Sequence, residues 1–214
     1  MKVLVVGAKG QIGRHLVRLL SNSEEHDVRA MVRKEEQAVT FREQGVETVV
    51  ANLEGSVEEI AKAAEGCEAI VFTAGSGSHT GADKTILVDL DGAVKTIEAA
   101  EQAEIKRFIM VSALSAHIRE KWWEGIKHYF AAKHYADRML MSTQLNYTII
   151  RPGALLNEPG TGKISAGEEL ERGSIPREDV AATIVATLNE EHTFRRGFDI
   201  ISGETPIADA LKNI

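Results

Sequence analysis

Apolar positions along the chain alternate between two textures. Short, nearly unbroken runs rich in β-branched residues occupy Val3–Val6, Val28–Val32, Val46–Val50, Ala69–Phe72, Arg107–Val111 and Tyr147–Ile150. Longer stretches between them carry apolar residues every third or fourth position. Gln11–Leu20 places Ile12, Leu16, Val17, Leu19 and Leu20 on one side. Glu35–Gln44, Val57–Glu65, Asp83–Gln102, Lys127–Ser142 and Arg177–Asn189 repeat the pattern. Uniform apolar runs predict strands buried on both faces, as in a parallel sheet. Strand and helix in repeated alternation predict an α/β fold. Its form is a Rossmann-like doubly wound parallel sheet flanked by helices.

Punctuation supports these boundaries. Gly45 and Gly66 follow helical stretches as helix-ending glycines. Ser56 and Glu59 have the spacing of a capping box. Pro152-Gly153 ends the sixth strand, and the Gly-rich polar stretch Asn157–Gly173 reads as loop. No linker interrupts the pattern. The expectation is a single domain over residues 1–214, with a small C-terminal annex from about residue 153 packed on the sheet edge.

Composition narrows the function. The 214 residues carry 25 Lys and Arg against 32 Asp and Glu, a formal net charge of −7. Such an acidic chain, with no basic run, is a poor partner for nucleic acid or an anionic membrane. No apolar run approaches the roughly 20 residues that span a bilayer. The N-terminal run is too short for a secretory signal. One cysteine, Cys67, excludes an internal disulfide framework and reads as an inert, partly buried thiol. The expected setting is cytoplasmic.

The first strand runs into Gly7-Ala8-Lys9-Gly10-Gln11-Ile12-Gly13, and a helix follows. Gly7 permits a tight turn, Gly10 leaves room for a pyrophosphate, and Gly13 lets the helix approach the strand. The amides of Gln11 and Ile12 then stand at a helix N-terminus, where phosphate binds. A bare glycine triplet is also compatible with an ordinary turn. The strand before it and the helix after it favour a dinucleotide. The second strand ends in Arg33-Lys34, not in the acidic residue that would accept a ribose hydroxyl. Arg grips a 2′-phosphate with paired hydrogen bonds, so the expected cofactor is NADP over NAD. Lys9 could add a further positive charge. Asn52-Leu53 and Ala74-Gly75, at later strand ends, are placed to meet adenine and ribose.

Tyr129 and Lys133 lie four apart in a helical stretch, hence on one face. Such a spacing is common on helix surfaces. At the mouth of a nucleotide-binding sheet it also suits proton transfer, with the ammonium lowering the phenol's pKa and binding the nicotinamide ribose.

These residues give the chain its resemblance to the short-chain dehydrogenase/reductase superfamily. It looks most like the compact atypical members termed NAD-dependent epimerase/dehydratase-like or NmrA-like. The resemblance spans nearly the whole chain. It is carried by the glycine turn, by Tyr129-Phe130-Ala131-Ala132-Lys133-His134-Tyr135-Ala136-Asp137, by Leu145–Gly153 with its Arg151-Pro152-Gly153 ending, and by Ile175–Ala181. It implies an NADP-dependent oxidoreductase, or an epimerase or dehydratase, acting on a small carbonyl or alcohol. Tyr129 would be the acid/base, Lys133 its partner, and Pro152 and Gly153 the nicotinamide side of the site. Asp179 would be a cap or structural hydrogen-bonding group. The family's catalytic hydroxyl position falls on Ala113; either Ser112 or Ser115 substitutes through a changed loop, or the hydroxyl is missing. The alternative is an NmrA-like dinucleotide sensor that binds a protein partner without turnover. Monomer and homodimer both remain open, since the fourth and fifth helices show no clear apolar seam.

Other residues point less far. The seven histidines, His15, His26, His79, His117, His128, His134 and His192, are scattered without metal-ligand spacing. His117, in the loop after the fifth strand, could meet substrate but reads first as a solvated loop residue. Trp122 and Trp123 form an aromatic wall over substrate or pack on the sheet edge or a partner. Being adjacent, they are expected to point to different sides.

Overall fold

A computed structural model describes residues 1–77 and 79–214. The five N-terminal strands fall on the expected runs: β1 (Lys2–Val6), β2 (Asp27–Val32), β3 (Glu47–Val50), β4 (Ala69–Phe72) and β5 (Arg107–Val111). β6 (Asn146–Pro152) and β10 (Arg196–Ser202) continue the parallel array in the order β10-β6-β5-β4-β1-β2-β3. Side chains alternate between two cores. Val3, Val5, Val71, Ile109 and Ile150 meet α1 (Gln11–Ser21), α2 (Glu35–Glu43), α7 (Arg177–Thr187) and α8 (Ile207–Leu211). Leu4, Val6, Phe72, Met110 and Ile149 meet α3 (Val57–Ala64), α5 (Asp91–Gln102) and α6 (Lys127–Met141). Helices on both faces explain the uniformly apolar strands. The fold is therefore a Rossmann-like α/β sheet.

Local signals behave as their chemistry dictates. Ser56 and Glu59 form the reciprocal capping box of α3. Gly45 and Gly66 both take φ +76 after their helices. Among the described residues, no helix is long and apolar enough to cross a membrane.

Two expectations need correction. The stretch Asn157–Gly173 is not all loop: β8 (Lys163–Gly167) pairs antiparallel with β10 and with β11 (Thr205–Pro206). Its residues have little strand propensity of their own, and the ladder to β10 supplies what propensity does not. The C-terminal segment thus extends the main sheet itself. It also adds a small parallel pair, β7 (Ala154–Leu156) with β9 (Ser174–Pro176). Secondly, Asp83–Gln102 is not one regular helix. A short turn, α4 (Ala82–Lys84), leads into a π-helical segment, Thr85–Leu90, and then α5. The wider turn faces Thr85 and Asp89 inward, both buried.

Candidate functional site

The mouth of the sheet forms where β1, β4, β5 and β6 end together. Gly7 takes φ +87, and a Cβ there would stand 2.7 Å from the Ala74 backbone. A Cβ on Gly13 would stand 2.3 Å from the Gly7 carbonyl oxygen. Both glycines therefore let α1 and the end of β4 close on the turn. The Ala8 amide bonds Met31 at 3.4 Å, tying the turn to β2. Gly10 opens α1 without a side-chain cap. The Gly10 amide closes the turn onto the Gly7 carbonyl at 2.9 Å, and within α1 the Arg14 amide bonds the Gly10 carbonyl at 2.9 Å. The preceding amides of Gln11, Ile12 and Gly13 are the helix's orphan donors, the chemistry a pyrophosphate needs.

Around this turn stand three exposed cations, Lys9, Arg33 and Lys34. Arg33 donates its backbone amide to Gln37 at 3.1 Å, and its side chain is exposed. Asn52 turns its Oδ1 onto the Glu54 amide at 3.1 Å, and Leu53 wedges against Gly92 of α5. Ala74 and Gly75 line the end of β4. The Pro152 carbonyl accepts from Leu114 at 3.0 Å, and the Gly153 amide donates to Ile200 at 2.9 Å, joining β6 to both neighbouring chain segments.

The π-helical segment brings a residue that sequence reasoning missed. Asp89 is 1% exposed and pairs with Lys133 Nζ at 3.2 Å. Its other oxygen accepts the Ser76 amide at 2.9 Å, just past β4. Lys133 also reaches the Val111 carbonyl at 3.4 Å, and its Nζ lies 5.8 Å from the Tyr129 ring centroid. The pair thus stands at the ends of β4 and β5. Burial pushes the Tyr129 phenol up; Lys133 opposes this, Asp89 and Asp137 reinforce it, and the net direction is upward. Burial alone would lower the Lys133 ammonium. Tyr129 and Asp89 outweigh it, and Lys133 is raised and stays charged.

Ser112 faces α6, in a second buried polar group. Its Oγ and Asp137 Oδ1 are both sealed from solvent, and the hydroxyl faces the carboxyl and lowers its pKa against the effect of burial. Asp137 Oδ2 accepts from Arg151 Nε at 3.0 Å, both side chains almost fully buried. Asp199 on β10 lies in register with Arg151. Burial pushes its carboxyl up to about 6. Ser115 is buried at φ +61, a left-handed conformation uncommon outside glycine. His117 is half-buried, not solvated. Burial, with Arg151 nearby, pushes its imidazole down to about 4, so it is neutral at pH 7. Of this group the sequence offered Ser112 and Ser115 as candidates for the substrate-orienting hydroxyl. Arg151, Asp137 and Asp199 meet through strand register and helix packing that no local pattern encodes.

The tryptophans do point to different sides. Trp122 donates to the Ala116 carbonyl at 3.1 Å and stacks on Phe130. Trp123 is 54% exposed under the Arg172 guanidinium, 5.0 Å from its ring. Asp179 accepts from the Thr161 and Gly162 amides at 2.9 and 2.8 Å, a structural role that fixes the loop before β8. Burial pushes the Cys67 thiol up. Among the described residues, no group of three or more His, Cys, Asp or Glu is placed to hold a metal ion. An open apolar groove, lined by Ile86, Leu90, Val94, Tyr135 and Met139, runs along the outer surface of α5 and α6. Its residues come from three elements, so no single helical stripe marks it.

A glycine turn with orphan amides at the ends of parallel strands defines a dinucleotide-binding protein. Comparison with known proteins agrees and names the family. The NAD(P)H-binding family model matches residues 7–191, and the chain belongs to that family. It is 62% identical over 214 residues to an uncharacterized sugar epimerase, YhfK, of Bacillus subtilis (strain 168), covering all of both chains. A solved structure assigned as an NAD-dependent epimerase/dehydratase of Bacillus halodurans superposes with a TM-score of 0.94 at 45% identity, each chain fully covered. ChuY, an anaerobilin reductase from Escherichia coli O157:H7, superposes with a TM-score of 0.82 at 26% identity, over 95% of this chain and 98% of its own. The chain is thus an NAD(P)-binding protein of the oxidoreductase and epimerase-like group.

Proposed function

We propose that this protein is an NADP-dependent oxidoreductase acting on a small carbonyl or alcohol. The observation that carries the reading is the position of Tyr129 and Lys133. The lysine reaches the Val111 carbonyl at the end of β5 and Asp89 beside the end of β4, so the pair borders the mouth. The glycine turn and the orphan amides of α1 fit a pyrophosphate. Lys9, Arg33 and Lys34 fit a 2′-phosphate, and Ala74, Gly75, Pro152 and Gly153 leave backbone close to a ribose and nicotinamide. The bound nicotinamide would supply hydride transfer. Tyr129 exchanges a proton with the substrate oxygen, and Lys133 holds the ribose side of the pair. Arg172 over Trp123 and the Lys121–Glu169 ion pair tie the segment before α6 to the segment before β9.

Titration with NADPH and NADH, followed by nicotinamide fluorescence, tests the cofactor. NADPH binds more tightly than NADH, and Arg33→Ala weakens NADPH selectively, by about tenfold or more for a lost charge-assisted pair. Failure of both cofactors to bind overturns the reading. A carbonyl-substrate screen then compares wild type with Tyr129→Phe, which loses turnover while retaining dinucleotide binding.

The sealed Ser112 hydroxyl and the alanine at 113 favour a second reading, a dinucleotide sensor without turnover. Equal behaviour of wild type and Tyr129→Phe in every assay would select it.

A further inference from the structure

Lys133 does not face Tyr129 alone. Its ammonium lies 3.2 Å from Asp89 Oδ1 but 5.8 Å from the centroid of the Tyr129 ring. The carboxylate is held in place by the Ser76 amide and by the π-helical turn that faces it inward. The lysine and aspartate side chains are 6% and 1% exposed, so water screens the pair little.

The other charges nearby are already matched. On α6, Asp137 pairs with Arg151 of β6 at 3.0 Å. On α5, Asp91 pairs with Lys95 at 2.7 Å, and at the start of α6, Lys127 pairs with Glu124 at 2.7 Å. His134 bonds the Ala116 carbonyl at 3.0 Å, and His128 is exposed. Asp89 is therefore the counter-charge of Lys133 among the described residues. A charge matched at close range has little field left for a neighbour.

We infer that Asp89 is a positioning residue: it holds the Lys133 ammonium by charge, so that Tyr129 stands as a neutral phenol that donates its proton to a substrate oxygen. The inference rests on the proposed role of Tyr129 and Lys133 and adds a direction to it. The substrate oxygen takes the phenolic proton, and solvent later returns one to Tyr129, which suits reduction of a carbonyl. An unmatched lysine would instead favour phenolate, a standing base suited to alcohol oxidation. Burial and both nearby carboxylates push the phenol the same way, upward.

The test is an ultraviolet phenolate titration of the protein without dinucleotide. It stays readable even if no cofactor binds, so it fails separately from the proposed function. The chain has three tyrosines, and subtracting the Tyr129→Phe curve isolates Tyr129. Tyr129 should titrate above the ordinary value of 10.0 in the wild type. Asp89→Asn should lower that midpoint by about one pH unit or more, as expected for an uncompensated cation within a few ångströms. The double variant Asp89→Asn/Lys133→Gln removes both charges and should return it to the wild-type position. A wild-type midpoint below 10, or a folded Asp89→Asn with an unmoved midpoint, overturns the inference. Should Asp89→Asn fail to fold, the double variant decides. A midpoint matching wild type supports the charge match, and one clearly above it shows an uncompensated Lys133 and overturns it.

Discussion

Arg151→Met removes the cation that stands between two buried carboxylates. Its Nε bonds Asp137 Oδ2 at 3.0 Å, and Asp199 lies across from it in the β6–β10 register. Asp137 and Asp199 are 2% and 0% exposed, so neither gains solvent when the guanidinium goes. Breaking a buried pair by removing one partner costs about 3–5 kcal/mol. For a domain of this size that is a Tm drop of about 6–20 °C. The pH dependence has a definite sign. Burial already holds Asp137 above its ordinary value of 3.8, and losing Arg151 raises it further. The native state then binds more protons than the unfolded one, so stability falls as pH rises. The deficit should therefore be full near neutrality and shrink on acidification toward the unfolded value. Urea denaturation of wild type and variant across that range measures it. The double variant Arg151→Met/Asp137→Leu removes the unpaired charge on α6 but leaves Asp199 without its cation, and should recover part of the loss. A deficit below about 1 kcal/mol at neutral pH, or one that does not shrink on acidification, refutes the reasoning.

Two further outcomes follow from the same geometry. Gly13→Ala drives a Cβ to 2.3 Å from the Gly7 carbonyl and 2.9 Å from Ala8 backbone atoms. It should cost about 1–3 kcal/mol by displacing α1, and weaken dinucleotide binding more than Gly45→Ala weakens it, as a thermal melt and a fluorescence titration would show. Asp199, pushed up to about 6 from 3.8, makes the wild type lose on the order of 3 kcal/mol as pH rises through that window. Asp199→Asn should flatten this slope in urea denaturation, and an unchanged slope would assign it to another group.

Much of this protein is legible in its sequence, and the reason is range. The glycine turn, the capping box of α3, the helix-ending glycines and the uniformly apolar strands are decided by neighbours within a few positions. Tyr129 and Lys133 share a face because a helix repeats every few residues. Those local rules place a parallel sheet, its glycine turn and the Tyr129–Lys133 pair without reference to anything distant. β8 was not legible, because Lys163–Gly167 becomes a strand only through its ladder to β10. The inward turn of Asp89 was not legible either, because the π-helical segment breaks the register that a regular helix would give Asp83–Gln102. The partners of Lys133, Asp137 and Arg151 come from elements tens of residues apart, and their charges are set by burial that only the closed fold creates. Sequence alone thus determined where a dinucleotide and a phenol–amine pair can sit. Tertiary structure decided which carboxylates neutralise the buried cations. Burial strips those groups of water, so the nearest opposite charge, however distant in the chain, controls them.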